Sequence, residues 1–240
     1  DELFGRVAAD GFAAVQLAYK KCVPSVRSYA DVTDALVAET VAAEKAHSIQ
    51  VAVLGTYVEL AINDESRLKN AADFKSQLAV CKALGAGCIG TETTSMEKQP
   101  AGTTREEAQE LLCRSLADIL AAAALGVTVA VEPVTYHSMN SAAATRHILD
   151  TMRSPNLKVI FDMSNLVDAG NVGAQDRIWN DVGELLGDQI VAVHFKGQNF
   201  KPDGTLYSTS LEDSCVDYKG GFEMLRTLPQ PVLPVLREEA

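Results

Sequence analysis

The sequence predicts a single α/β domain in which parallel strands alternate with returning helices and close into a (β/α)8 barrel. Three observations carry this. Seven short runs of nearly continuous apolar residues read as strands buried on both faces, the pattern of parallel sheets. Amphipathic segments of helical length separate them, and no linker or composition break divides the 240 residues. Four successive runs also end in a residue able to bind a metal: Glu132, Asp162, His194 and Glu238.

In chain order, the first stretch, ELFGRVAADGF, has helical character, and the first strand is AAVQLAY at 13–19. A helix over about 31–46 leads to the strand IQVAVLG, 49–55, and a helix over 64–84 leads to GCIGTET, 87–93. The next helix, 105–125, opens with Thr104-Arg105-Glu106-Glu107, the spacing of a capping box, and Gly126 stands where a helix-ending glycine belongs. TVAVEPV at 128–134, KVIFDM at 158–163, IVAVHFK at 190–196 and VLPVLRE at 232–238 complete the strands, with helices over 140–153, 175–187 and 217–228 between them. A closed barrel wants eight strands and seven are visible, so the expectation is that this chain lacks a first strand and a last helix. A doubly wound open sheet is the runner-up, weakened because no GxGxxG or GxxxxGK[ST] follows any strand.

Composition narrows the partners. With 21 Lys and Arg against 32 Asp and Glu, the net charge of −11 argues against a nucleic-acid backbone as ligand. No apolar stretch is long enough to span a membrane and no secretory signal opens the chain. Five cysteines (Cys22, Cys81, Cys88, Cys113 and Cys215), odd in number and without CxxC spacing, read as buried reduced thiols of a cytoplasmic protein. Self-association into a homo-oligomer is compatible with all of this and encoded by none of it.

The strand ends carry the chemistry. Their four candidate ligands are 30, 32 and 44 residues apart, each gap about one strand plus one crossover. Parallel strands bring such ends to one face, where βα barrels keep their active sites. Two Glu, one Asp and one His make a mixed oxygen and nitrogen set suited to Mn²⁺, Co²⁺, Zn²⁺ or Mg²⁺. Glu239 follows Glu238, and a one-residue slip in register exchanges the two. Lys196 shares the parity of His194 and is a candidate for holding a substrate oxygen or phosphate. His137, Glu92 and Asn165 lie just beyond or at strand ends and are candidates for touching substrate. Gln16 and Tyr57 are weaker ones, as compatible with packing. His47, His147 and Trp179 sit in helical patterns and read as surface or packing groups.

The succession GFAAVQLAY, VAVLGTYVELA, LGAGCIGTET, VAVEPV, VIFDMSN, VAVHFKG and VLREE resembles the sugar phosphate isomerase/epimerase family with the xylose isomerase-like TIM barrel. The match runs over essentially the whole chain, and the order and spacing of its short motifs carry it. The resemblance implies a divalent metal, often Mn²⁺, held by Glu132, Asp162, His194 and Glu238, with the two glutamates doubling as the proton-transfer pair. This chain departs from the family pattern in three places. The common His-x-Lys-Asp run is His194-Phe195-Lys196-Gly197 here, Asn165 stands where some epimerases carry His, and Gln16 replaces a frequent Glu.

A scheme follows for a ketose or sugar phosphate. A bound divalent ion acidifies the C–H between a carbonyl and a neighbouring hydroxyl. One glutamate takes that proton, giving an enediolate, and the other returns one, for epimerisation or for isomerisation, while Lys196 and His137 orient the sugar. Two readings compete: a dehydratase of cyclic polyols (an inosose-type substrate) on the same barrel, and a sugar-binding barrel without turnover. A barrel phosphodiesterase acting at abasic DNA sites needs a multi-metal cluster and a basic groove, and four histidines with a charge of −11 argue against it.

Overall fold

The computed structural model describes residues 2–123, 126–229 and 233–236, the last four as backbone. A first helix, α1 (Glu2–Ala9), precedes strand β1 (Ala14–Leu17), the one-turn helix α2 (Tyr19–Cys22) and α3 (Asp34–His47). Strand and helix then alternate: β2 (Gln50–Gly55), α4 (Asp64–Leu84), β3 (Cys88–Glu92), α5 (Arg105–Ala123), β4 (Val129–Glu132), α6 (Ala142–Met152), β5 (Leu157–Asp162), α7 (Gln175–Leu186) and β6 (Ile190–Phe195). After β6 comes a hairpin, β7 (Gln198–Phe200) and β8 (Leu206–Ser208), then α8 (Tyr218–Leu225) and β9 (Leu233–Leu236).

Five of the helices start where a side chain accepts one of their free N–H groups. Thr33, Asn63, Ser141 and Asp217 cap α3, α4, α6 and α8. At α5 the predicted box forms reciprocally: Glu107 N–H donates to Thr104 Oγ1 at 3.2 Å, and Thr104 N–H to Glu107 Oε2 at 2.8 Å. Those bonds hold the Glu107 carboxyl below the usual range. Gly126 adopts φ +88°, the left-handed conformation expected of a helix terminator.

Among the described residues the strands form one seven-stranded parallel sheet in the order β1-β2-β3-β4-β5-β6-β9. The sheet is curled. Laid flat, β1 and β6 would stand five strand spacings apart, ~24 Å, yet His194 on β6 and Gln16 on β1 touch at 2.6 Å. Curling separates two apolar layers. The outer faces carry Val51, Ile89, Val131, Phe161 and Val193 into one large core with the helices, where Trp179 meets Phe161 edge-on at 5.7 Å. The inner faces hold a second cluster built mainly of small residues, including Ala52, Ala130 and Ala192, around Ile160. Ile160 covers Gly90, where a Cβ would collide with its terminal methyl. Trp179 is thus packing, His47 packs beside Gly5 of α1, and His147 is exposed.

Two features differ from expectation. Cys81 and Cys88 are buried, but Cys22 is exposed and Cys113 and Cys215 are half-buried, although all five are unpaired. The β7–β8 hairpin was not anticipated, because strands of three residues are too short to show a period. Its Pro202-Asp203-Gly204 turn, with Gly204 at φ +84°, is nonetheless a turn signature. No helix of the described residues is long and apolar enough to cross a membrane.

Gly197 joins β6 to this hairpin at a point where the chain crosses itself. Thr209 N–H donates to Gly197 O at 3.2 Å, and a Cβ on Gly197 would run into the backbone of Thr209 and Ser210. Backbone, unlike the end of a side chain, cannot step aside cheaply. Gly197→Ala should therefore destabilise the protein by about 1–3 kcal/mol in denaturant unfolding, with earlier proteolysis within 198–210. Unchanged stability together with unchanged proteolysis would show that the crossing is not tight.

Candidate metal centre at the strand ends

Period-two alternation aims one residue per strand end into the mouth of the curled sheet. On β5 and β6 these are Asp162 and His194, which are register partners. On β3 and β4 they are Glu92 and Glu132, also register partners. Asp162 and His194 are fully buried and Glu132 nearly so, at 3% exposure.

Glu132, Asp162 and His194 converge, each offering a ligand atom within 4.8 Å of the others. His194 Nδ1 lies 3.4 Å from Glu132 Oε2 and 4.0 Å from Asp162 Oδ2. Gln16 sets the tautomer of this ring. With its Oε1 2.6 Å from His194 Nε2, Gln16 accepts an Nε2–H, and its amide nitrogen donates to Tyr57 OH at 3.1 Å. Nδ1 is thereby left with its lone pair, turned toward two carboxylates. Neither His194 Nδ1 nor Asp162 Oδ2 makes a hydrogen bond, although both atoms are buried. A lone pair and two anions facing one another out of water repel. The residues present therefore fit a divalent cation, whose charge turns that repulsion into coordination.

The surroundings hold each group from behind. Asp162 Oδ1 accepts from the backbone N–H groups of Ser164 and Asn165 at 2.9 and 3.2 Å, which leaves Oδ2 to face the cluster. Asn165 Nδ2 donates to Glu132 Oε1 at 2.5 Å, and its Oδ1 accepts from Lys196 Nζ at 3.0 Å. Lys196 Nζ also lies 3.4 Å from Asp162 Oδ2, so the one cation of this network is shared between Asn165 and Asp162. Burial pushes the Glu132 carboxyl above its usual range, with the His194 ring opposing the shift and Asp162 and Glu92 adding to it.

The remaining predicted residues take distinct places. Glu92 is partly buried beside Glu132 and near enough to His137 to raise the charge-bearing tendency of its ring. His137 sits 5% exposed between the loops after β3 and β4, pairing with Ser95 as a backbone bridge, with Nδ1 3.4 Å from Thr93 Oγ1. Burial lowers its pKa. Glu238 and its neighbour Glu239 lie outside the described residues. Sequence reasoning undervalued Gln16 and Tyr57. The available signal was parity: Gln16 occupies on β1 the inward position that His194 occupies on β6.

Comparison with known proteins agrees with the fold. No curated protein matches the chain. The crystal structure of the IOLI protein with a bound zinc atom superposes with a TM-score of 0.80 at 17% identity, over 98% of this chain and 82% of that one. The 3-keto-D-glucoside 4-epimerase YcjR from E. coli gives 0.74 at 17% identity, over 98% and 85%. D-psicose 3-epimerase, solved in the presence of D-fructose, gives 0.71 at 17% identity, over 98% and 78%. At these identities the likeness is one of fold. The family model for the xylose isomerase-like TIM barrel matches residues 4–230, and the chain belongs to that family.

Proposed function

We propose that this protein is a divalent-metal-dependent isomerase or epimerase of a keto sugar. The observation that carries the reading is the buried convergence of Glu132, Asp162 and His194 at the ends of parallel strands. The zinc atom of one structural neighbour and the epimerase activities of two others support it. When bound, a divalent ion would polarise a substrate carbonyl and acidify the neighbouring C–H; Mn²⁺ is our first choice, with Co²⁺, Zn²⁺ and Mg²⁺ as alternatives.

The chain's own residues supply the rest. Glu132 takes a proton from the carbon beside the carbonyl, its Oε1 held by Asn165 so that Oε2 faces the cluster. A second glutamate returns a proton. Glu238 and Glu239 are the candidates for this role and for the fourth ligand. Lys196 and Asn165 orient the sugar oxygens, and Glu92 and His137 border the same strand ends. Five unpaired cysteines suit a reducing compartment, in keeping with a cytoplasmic enzyme.

Two measurements test this. In D₂O, the Mn²⁺-loaded protein should exchange the α-proton of a ketose such as D-fructose, and Glu132→Gln should slow that exchange by about 10²–10⁴-fold without changing the fold by circular dichroism. Parallel Glu238→Gln and Glu239→Gln variants should show one large loss and one small one. Near-wild-type exchange in Glu132→Gln would end the scheme. Metal affinity gives the second test, since Gln16 positions His194 without touching the cation. Gln16→Leu should weaken Mn²⁺ binding about 10–100-fold in a chelator competition, while Gln16→Glu, which still accepts from Nε2–H, should retain it. Equal affinity in all three proteins would remove the histidine from the metal site.

A further inference from the structure

A cavity of about 330 Å³ opens beside the strand-end cluster, walled by Thr135 and Tyr136 after β4, by the loop 164–170 after β5, and by Phe200, Gly204 and Leu206 of the hairpin. It is contiguous with the cluster through Ser164 and Asn165. Asn165 lines the cavity and donates to Glu132 Oε1, and its backbone O accepts from Thr135 N–H at 2.9 Å, tying the two walls together. The rim is apolar where apolar groups are costly to display. Tyr136 is 52% exposed and Leu206 49%, two of the six exposed large hydrophobic residues among those described, and a third, Tyr207, follows Leu206.

The polar character of the lining is as telling. Among the described residues that line the cavity none is Lys or Arg, and one, Asp168, is an acid. The amide donors that an anion would use in this loop are taken: Gly170 N–H and Asn171 N–H donate to Asp168 Oδ1 at 2.8 and 3.0 Å. Lys196 is held by Asn165 and Asp162. A phosphate needs cations or free backbone N–H groups and would meet a carboxylate instead. An uncharged sugar ring has the opposite profile, with apolar C–H faces for an aromatic or aliphatic wall and hydroxyls for a few polar groups. The volume lies at the lower end of the range of about 300–1,000 Å³ for small-molecule pockets, room for one added ring.

We propose that this cavity is a subsite for an uncharged sugar ring carried by the substrate, so that the preferred substrate is a glycosylated keto sugar and not a sugar phosphate. The proposal rests on the keto-sugar reading above and narrows its substrate class. Tyr136 and Leu206 determine specificity here.

A matched set of probes tests it: D-fructose, fructose 6-phosphate, and isomaltulose, in which a glucose replaces the phosphate at the same oxygen. Titration calorimetry with the Mn²⁺-loaded protein should give isomaltulose a Kd about tenfold or more below those of the other two. In the Tyr136→Ala/Leu206→Ala protein that preference should collapse to within about twofold, and Tyr136→Phe, which keeps the ring, should restore most of it. Fructose 6-phosphate binding as tightly as isomaltulose, no binding of isomaltulose, or a preference untouched by the double variant would each overturn the subsite. Proton exchange in D₂O, run on the same samples, separates the two ideas. Exchange without glycoside preference sinks the subsite and leaves the enzyme, whereas preference lost in the variant without exchange keeps the subsite and sinks the catalysis.

Discussion

The structure is organised around an arrangement that is unfavourable by itself: an imidazole lone pair and two carboxylates brought together out of water. Burying one unpaired charged group costs several kcal/mol, and bringing like charges together adds to that. The curled sheet imposes the arrangement regardless. Asp162 and His194 are locked side by side by strand register, and Glu132 reaches the same point from the neighbouring strand. The contact that sets its sign is Gln16 to His194, because a proton held on Nε2 leaves Nδ1 able to donate electrons to a cation. That contact exists only because curling carries β1 around to β6. Fold and ligand chemistry are thus a single constraint.

Behind the cluster, the segment 194–198 alternates between facing the site and fastening the loops. His194 faces inward, and Lys196 Nζ reaches Asn165 and Asp162. The backbone O of Lys196 accepts from Ser164 Oγ at 2.7 Å and from the Tyr218 hydroxyl, which joins the loop after β5 to α8. Gln198 then donates through its side-chain amide to the backbone O of Ser164 and of Val167. The loop that presents Asn165 is therefore held on three sides, and Asn165 in turn holds Glu132. Such backing keeps a reactive carboxylate at a fixed angle.

Much of this was legible in the sequence because it is periodic. Strands buried on both faces announced themselves as apolar runs, and the Thr104–Glu107 box and Gly126 marked the ends of a helix that forms where expected. The convergence of Glu132, Asp162 and His194 followed from spacing alone. Other features were hidden for physical reasons. Gln16 looks like an ordinary strand residue until curling gives it a partner 178 positions away. The hairpin strands, three residues each, have no period to read. His137 stands just past a strand end, but the bridge to Ser95 seats its ring between loops, a pairing that no local pattern encodes.

The departure at Gly197 connects these threads. At 197 this chain must carry a residue without a side chain, because Thr209 and Ser210 pass directly over that position. Their passage is what returns the hairpin across the strand ends, where a Cβ on Gly204 would lie 3.7 Å from the Ala169 Cβ. Phe200 and Leu206 become a wall of the cavity by the same move. An aspartate at 197 would need that space and would bring another negative charge to a site already rich in them. The glycine at 197 and the apolar wall of the cavity are then two consequences of one chain crossing, and a substrate selected by that wall would be selected, at root, by a glycine.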